Sequence, residues 1–196
     1  MTEQAQRKRI GIFGGSFNPV HTGHICLARQ LLTAVSLDEI WFMVSPLNPF
    51  KQDFTDLLPD DVRLELTREA LKDEPCMLAS DYEFSLPRPS YMWNTLAHLS
   101  YDYPQYSFTL IVGADNWLAF DRWARHDFIQ QHYDIAVYPR KGYDVDTESL
   151  PSHVKLVQAE LYPFSSTDIR TMVHQGQSIK GLVPDSILSK VKRLYR

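Results

Sequence analysis

One stretch constrains this chain more than any other: Gly11-Ile-Phe-Gly-Gly-Ser-Phe-Asn-Pro-Val-His-Thr-Gly-His24. It reads as the end of a strand, a tight glycine loop and the first turn of a helix. Gly14 and Gly15 open backbone conformations that side chains forbid. They also leave N–H groups free to face an anion. His21 and His24 lie three residues apart where the helix begins, on one face of its N-terminus. That end carries partial positive charge and unpaired donors, a seat for phosphate. Two imidazoles beside a phosphate cradle point to chemistry on phosphate. The same residues also admit plainer readings. Gly-Gly after a strand makes a turn, and a His pair at this spacing can be structural or a weak metal site. Zinc would need further ligands. The pattern is neither a Walker A loop nor Gly-x-Gly-x-x-Gly, because no Gly-Lys-Ser/Thr follows and the glycine spacing differs.

The chain is long enough, at 196 residues, for one sizeable α/β domain. A net charge of −4 argues against broad, nonspecific binding to nucleic acid, but allows a local basic pocket for an anionic substrate. The two cysteines, Cys26 and Cys76, make neither a metal spacing nor a disulfide framework, which fits a reducing cytoplasm. Met1 to Arg9 is polar and charged, unlike a signal peptide. No apolar run approaches the ~20 residues needed to span a membrane.

Met1 to Lys8 is expected to be a disordered tail, with one domain over residues 9–196 and its C-terminal helical part from about residue 165. Arg9 to Phe13 reads as the first strand. Thr22 to Val35 reads as a helix, with Ile25, Ala28, Leu31 and Leu32 as its apolar stripe. Glu39 to Val44 carries Ile-Trp-Phe-Met-Val, a strand buried on both faces, as in a parallel sheet covered by helices. Ser45 to Pro59 reads as a loop able to fold over a ligand. Asp60 or Asp61 is expected to cap a helix to about Lys72, and Ser90 another to about Ser100. Strands follow at Cys76 to Ala79, Phe108 to Val112, Asp134 to Tyr138 and Val154 to Val157. Helices are expected at Asp121 to Gln131, from Ser165 or Ser166 to about Gln175, and from Pro184 onwards. This alternation predicts a mostly parallel sheet with helices on both faces. The glycine loop, the Ser45 loop and Gly113-Ala114-Asp115-Asn116 all follow strands. They should converge at the carboxyl edge of the sheet, at the switch in strand order.

Ser165-Ser166-Thr167-Asp168-Ile169-Arg170 is the second informative stretch. Ser165 and Asp168 alone make a capping box. The added hydroxyls of Ser166 and Thr167, with Arg170 one turn on, make a second helix start able to hold phosphate. Cap and site stand as alternatives on these residues alone. Gly113-Ala114-Asp115-Asn116 followed by Trp123 is a strand, a turn and a helix cap with a tryptophan that can be core or a stacking surface.

Taken together, these motifs resemble the nucleotidylyltransferase superfamily. Gly-Gly-Ser-Phe-Asn-Pro-Val-His-Thr-Gly-His matches its His-x-Gly-His signature, and Ser-Ser-Thr-x-Ile-Arg matches its second signature. The Gly-Gly-Ser-Phe-Asn-Pro lead-in and Gly-Ala-Asp-Asn…Trp123 resemble the bacterial nicotinate-nucleotide adenylyltransferase branch. The resemblance implies a Rossmann-like nucleotidylyltransferase fold. It implies adenylyl transfer from ATP to nicotinate mononucleotide, giving deamido-NAD and pyrophosphate. His21, His24 and Arg170 would be catalytic. Gly14, Gly15, Ser16, Phe17, Ser166 and Thr167 would bind ATP phosphates. Asn48, Lys51, Tyr91, Asp115 and Trp123 would bind the pyridine nucleotide. Mg²⁺ would ride on the ATP phosphates, with no metal site on the protein.

Two positions depart from the branch: Phe50 stands where a His is usual, shifting weight to Lys51, and Met92 stands where a Thr helps hold the nicotinate carboxylate. Tyr138-Pro139-Arg140-Lys141-Gly142 resembles its Arg-Pro-Gly turn with the order disturbed. Nicotinamide mononucleotide or phosphopantetheine are the alternative acceptors. A nucleotide-binding regulator and a His-based metal module are the alternatives outside enzymology. No nucleic-acid or membrane partner is expected, and a homo-oligomer is left open.

Overall fold

A computed structural model describes residues 7–46 and 56–196. Asn48, Lys51 and most of the Ser45 loop lie outside the described residues, as does the start of the expected tail. Six strands form one sheet: β1 (Lys8–Gly15), β2 (Glu39–Val44), β3 (Met77–Ser80), β4 (Tyr106–Gly113), β5 (Asp134–Tyr138) and β6 (Val154–Leu156). Their order is β3-β2-β1-β4-β5-β6, and all five pairings are parallel. The order reverses between β1 and β4, which opens a crevice beyond their carboxyl ends. Lys8 pairs with Tyr106 in the sheet, so the first strand begins inside the stretch expected to be tail.

β2 shows why the sheet is covered on both sides. Ile40, Phe42 and Val44 point into one core, and Trp41 and Met43 into the other, following the two-residue period of a strand. The first core lies under α1 (Thr22–Ala34), α2 (Asp60–Ala70), α6 (Ser166–His174) and α7 (Asp185–Leu194). The second lies under α3 (Met92–Asp102), α4 (Ala114–Leu118) and α5 (His126–His132). In α1 the buried side is Ile25, Leu27, Ala28 and Leu31, close to the expected stripe.

Several expected helix starts differ. Asp60 does not cap α2. The N-cap is Pro59, and the Asp60 carboxylate binds Arg63 and Arg88 instead. Ser90 does not cap α3. Tyr91 is the N-cap, with no side-chain bond to the helix. The helix expected from Asp121 is split. A 3₁₀ turn at Phe120–Arg122 is followed by Arg125 in the left-handed region (φ 53°), and α5 starts only at His126. Ser165, by contrast, caps α6 in a full capping box with Asp168.

Arg63 ties the two sides of the crevice together. It is fully buried, and its guanidinium donates to three carbonyls: Ser16 O at 2.6 Å, Ser45 O at 3.0 Å and Leu58 O at 2.9 Å. Asp60 Oδ1 at 2.6 Å supplies the counter-charge. Ser16 follows β1 and Ser45 follows β2, so one side chain fixes the exits of two adjacent strands. Lysine has one nitrogen and cannot reproduce this fork. Arg63→Lys should lower stability by about 2–4 kcal/mol, with an unchanged denaturant slope, because buried carbonyls lose their donors. Urea unfolding checks this; a change under about 0.5 kcal/mol would show that the carbonyls find other partners.

Candidate active site

The loop after β1 is shaped by Phe17 more than by its glycines. Phe17 takes the left-handed conformation at φ 44° and follows the two residues that close the strand. Its ring is buried edge-on to Phe13 and His24, at centroid distances of 5.8 and 5.2 Å, which anchors the turn in the core. Gly14 and Gly15 lie in extended strand. At Gly14 a Cβ would stand 2.9 Å from Met92 Cε, the free end of a flexible side chain across the cleft.

The loop is then held by its carbonyl oxygens. Ser16 O accepts from Arg63, Asn18 O from Arg170 Nη1 at 2.8 Å, and Pro19 O from Ser166 Oγ at 2.8 Å. The Asn18 side chain is also fully engaged. Its Nδ2 donates to Asp56 O at 2.8 Å, and its Oδ1 accepts from Leu58 N and from the Tyr195 hydroxyl at 2.6 Å. The loop thus binds the start of α6, the approach to α2 and the end of α7.

His21 and His24 form a reciprocal cap at the start of α1. His21 Nδ1 accepts from His24 N, and His24 Nδ1 accepts from His21 N, at 3.3 and 3.2 Å. The rings stack at 3.6 Å with 24° between their planes. Gly23 permits this: a Cβ there would stand 3.1 Å from His21 Nδ1. With both Nδ1 atoms accepting, the hydrogen-bond network assigns the ring proton of a neutral imidazole to Nε2. Burial, then the Arg140 charge, push His21 down to about 4, with Asp168 opposing. His21 is therefore a neutral hydrogen-bond donor near pH 7. Thr22 N–H is taken by Leu182 O at 2.9 Å. The helix start thus offers imidazole edges more than amides.

Arg170 and the first turn of α6 sit across the loop from this pair. Arg170 Nη2 also reaches Thr167 Oγ1 at 3.3 Å. Ser166 spends its hydroxyl on the loop carbonyl, while Thr167 is exposed at the helix start. The amides of Ser166 and Thr167 have no intrahelical acceptor, as at any helix start.

Beside the loop, at the β1/β4 switch, lies a cleft of about 430 Å³. Gly14 and Gly15 form one wall, Tyr91 and Met92 another, and Trp123 a third. Among the predicted pyridine-nucleotide residues, Tyr91 and Trp123 line it. Asp115 is not among its lining residues; its buried Oδ1 lies 3.6 Å from Arg140 Nε. Arg140 also donates to the Tyr138 hydroxyl at 3.1 Å. Its charge acts on His21, so it links the cleft to the imidazoles. His21, His24 and Arg170 are not among the residues that line this cleft.

Sequence reasoning missed Arg63, Asn18, Tyr195, Arg140 and Glu83. Arg140 had a signal in its resemblance to an Arg-Pro-Gly turn. Arg63 followed the Ser45 loop in a helix that was noticed but given no role. Asn18 stands inside the Gly-Gly-Ser-Phe-Asn-Pro lead-in, while Tyr195 and Glu83 carry no signal.

Three comparisons bear on the whole arrangement. Residues 12–172 match the family described as cytidylyltransferase-like. A probable nicotinate-nucleotide adenylyltransferase of Bacteroides fragilis is 43% identical over 94% of this chain and 92% of its own. One from Cytophaga hutchinsonii is 44% identical over 91% and 93%. Among solved structures, a Plasmodium falciparum nicotinic acid mononucleotide adenylyltransferase complexed with NaAD superposes with a TM-score of 0.78 at 18% identity, covering 96% of this chain and 97% of that one. At that identity the likeness bears on the fold alone.

The neutral His21 gives a pH test. The unfolded imidazole binds a proton near its ordinary value of about 6.5, and the folded one only near 4. Between these values the unfolded state holds more protons, so stability falls as pH drops through that window. The full loss is of order 1–3 kcal/mol between pH 7 and pH 4. His21→Asn keeps a good N-cap residue without a titrating ring. Its melting temperature should fall less than the wild type's over that range. Parallel curves would show that His21 is not held neutral.

Proposed function

The chain belongs to the cytidylyltransferase-like family, among its nicotinate-nucleotide adenylyltransferases, and we infer from its site that it transfers the adenylyl group of ATP to nicotinate mononucleotide, forming deamido-NAD and pyrophosphate. The observation that carries the mechanism is the stacked imidazole pair, each ring capping the start of α1 through Nδ1, beside a loop whose carbonyls are bound by Arg170 and Ser166.

The reaction needs no covalent intermediate. The mononucleotide phosphate attacks the α-phosphorus of ATP, the bond to the β-phosphate oxygen breaks, and pyrophosphate leaves with that oxygen. The protein's task is to bring two anions together and to neutralise the charge that builds on the transferred phosphorus. His21 and His24 would donate to phosphate oxygens. His21 does so without adding charge, which suits a donor fixed in place before the reaction. Arg170 and the start of α6 would hold the β- and γ-phosphates of the leaving group. Trp123 would stack on the pyridine ring, and Tyr91 would close the same cleft. Asn48 and Lys51 would complete the acceptor site. Mg²⁺ would arrive as part of MgATP, carried on the triphosphate. No helix among the described residues is long and apolar enough to cross a membrane. With both cysteines free, we place the reaction in the cytoplasm.

Pyrophosphate release from MgATP, with nicotinate and nicotinamide mononucleotides supplied separately, tests the reading. Release should occur with the acid and be at least about tenfold slower with the amide. Release with neither would send the assignment to phosphopantetheine and other phosphorylated acceptors. His24→Ala should lower kcat by a factor of about 10², the usual cost of one donor to developing charge. Wild-type turnover in that variant would remove the imidazoles from the chemistry.

A further inference from the structure

Trp123 lines the cleft together with Tyr91 and Met92. Tyr91 is the N-cap of α3 and Met92 its first residue, but Trp123 comes from the irregular stretch between the 3₁₀ turn and α5. A turn breaks what would otherwise run on as helix: His126 N donates to Trp123 O at 3.2 Å. Arg125, the third residue of that turn, has φ 53° and ψ 41°. This left-handed region suits glycine and is costly for a residue with a Cβ. Such a conformation, held beside a cleft, persists only where the surroundings enforce it.

The Arg125 side chain supplies that enforcement. Its guanidinium carbon lies 4.9 Å from the centre of the Trp93 ring and 5.0 Å from that of Phe128. Both distances fall within the ~6 Å reach of a cation–π contact. The two rings meet edge-on, 6.5 Å apart with 85° between their planes, so the guanidinium packs in the corner they make. Phe128 belongs to α5. Trp93 belongs to α3, directly after Met92. One side chain thus ties the turn that carries Trp123 to the helix whose start carries Tyr91 and Met92. The indole of Trp123 rests in turn on the buried ring of Phe120, at a centroid distance of 5.1 Å.

We propose that Arg125 is a positioning residue: its contact with Trp93 and Phe128 holds the Trp123 turn against α3 and so fixes the width of the slot for the flat ring of the acceptor. This rests on the reading of Trp123 as the stacking surface for a pyridine mononucleotide. Arg125 acts through Trp123 and not on the substrate itself. Stacking gains most when the surface is set before the ligand arrives, because binding then orders nothing new. A planar guanidinium is the cation suited to lie on two rings at once. Loss of the clamp weakens acceptor binding in the ground state and the transition state alike, so it shows in KM and not in kcat.

Steady-state kinetics on the full chain, with MgATP and nicotinate mononucleotide varied separately, test the clamp. Arg125 is exposed, so its substitution leaves the core intact. Arg125→Ala removes the guanidinium, and Arg125→Gly removes the backbone strain as well. Both should raise KM for nicotinate mononucleotide about fivefold and leave kcat and KM for MgATP within about twofold. Arg125→Gly should melt within about 3 °C of the wild type, because relief of the strain offsets the lost contact. A loss of stability alone would lower the active fraction, and with it kcat, without moving KM. Trp93→Leu added to Arg125→Gly should raise KM no further than the larger of the two single changes, since both break one contact. An unchanged KM for nicotinate mononucleotide in Arg125→Gly and Arg125→Ala would overturn the proposal. So would equal rises for the two substrates, or effects of Trp93→Leu and Arg125→Gly that multiply in full. A wild type inactive on nicotinate mononucleotide would instead overturn the functional assignment, and the role of the clamp with it.

Discussion

Everything in the site depends on how the loop after β1 is held. A turn that must hold phosphate has to keep its amides available, so it is best fixed by its carbonyl oxygens. Here three carbonyls, at Ser16, Asn18 and Pro19, are bound by side chains of Arg63, Arg170 and Ser166. Those side chains come from α2 and α6, so the loop cannot take this shape until the helices of one face have packed. Phe17 adds the apolar half of the restraint, spending its ring on the core so that its backbone can adopt a conformation of uncommon φ. The Asn18 side chain extends the same logic to Tyr195, close to the end of the chain.

The electrostatics follow from this arrangement. The imidazoles are turned into helix caps by each other's backbone, which leaves one tautomer for a neutral ring. Burial keeps His21 uncharged, and Arg140 reinforces it. Arg170, from α6, is bound to Asn18 O of the loop and is therefore oriented before any ligand arrives. A fixed cation and fixed imidazole donors suit a reaction in which charge moves between phosphates. The donors do not have to reorganise as the charge shifts.

The sheet was legible because its signals are local. β2 is six residues, five of them apolar, and such a run fits only a strand covered on both faces. The Ser165 cap was legible for the same reason, since its partner Asp168 is three residues away. The glycine loop was legible as a site but not in its mechanics. Gly-Gly suggested left-handed backbone, yet the glycines serve close approach and Phe17 turns the chain. Asp60 and Ser90 look like caps to any local rule. Asp60 is diverted by two arginines, of which Arg88 is 28 residues away. Arg63, Asn18 and Tyr195 were illegible because their partners are set by the fold. Asn18 and Tyr195 are 177 residues apart, and no spacing rule reaches that far.

This separation of local from distant signals matches a division within the site. The groups proposed to act on phosphate, His21, His24 and Arg170, lie in motifs readable from a few consecutive residues, because a phosphate cradle is built from helix starts and their caps. The groups that would read the acceptor come from the segment between β3 and α3 and the one between β4 and α5, brought together only where the strand order reverses. Arg140 joins the halves, bound to Tyr138 of the cleft lining and with its charge felt at His21. Tyr91 and Met92 line the cleft but supply none of the side chains that bind the loop carbonyls, so the acceptor wall and the pinned loop are separate in the fold. Gly14 and Gly15 belong to both, as the end of the strand that leads into the loop and as lining of the cleft.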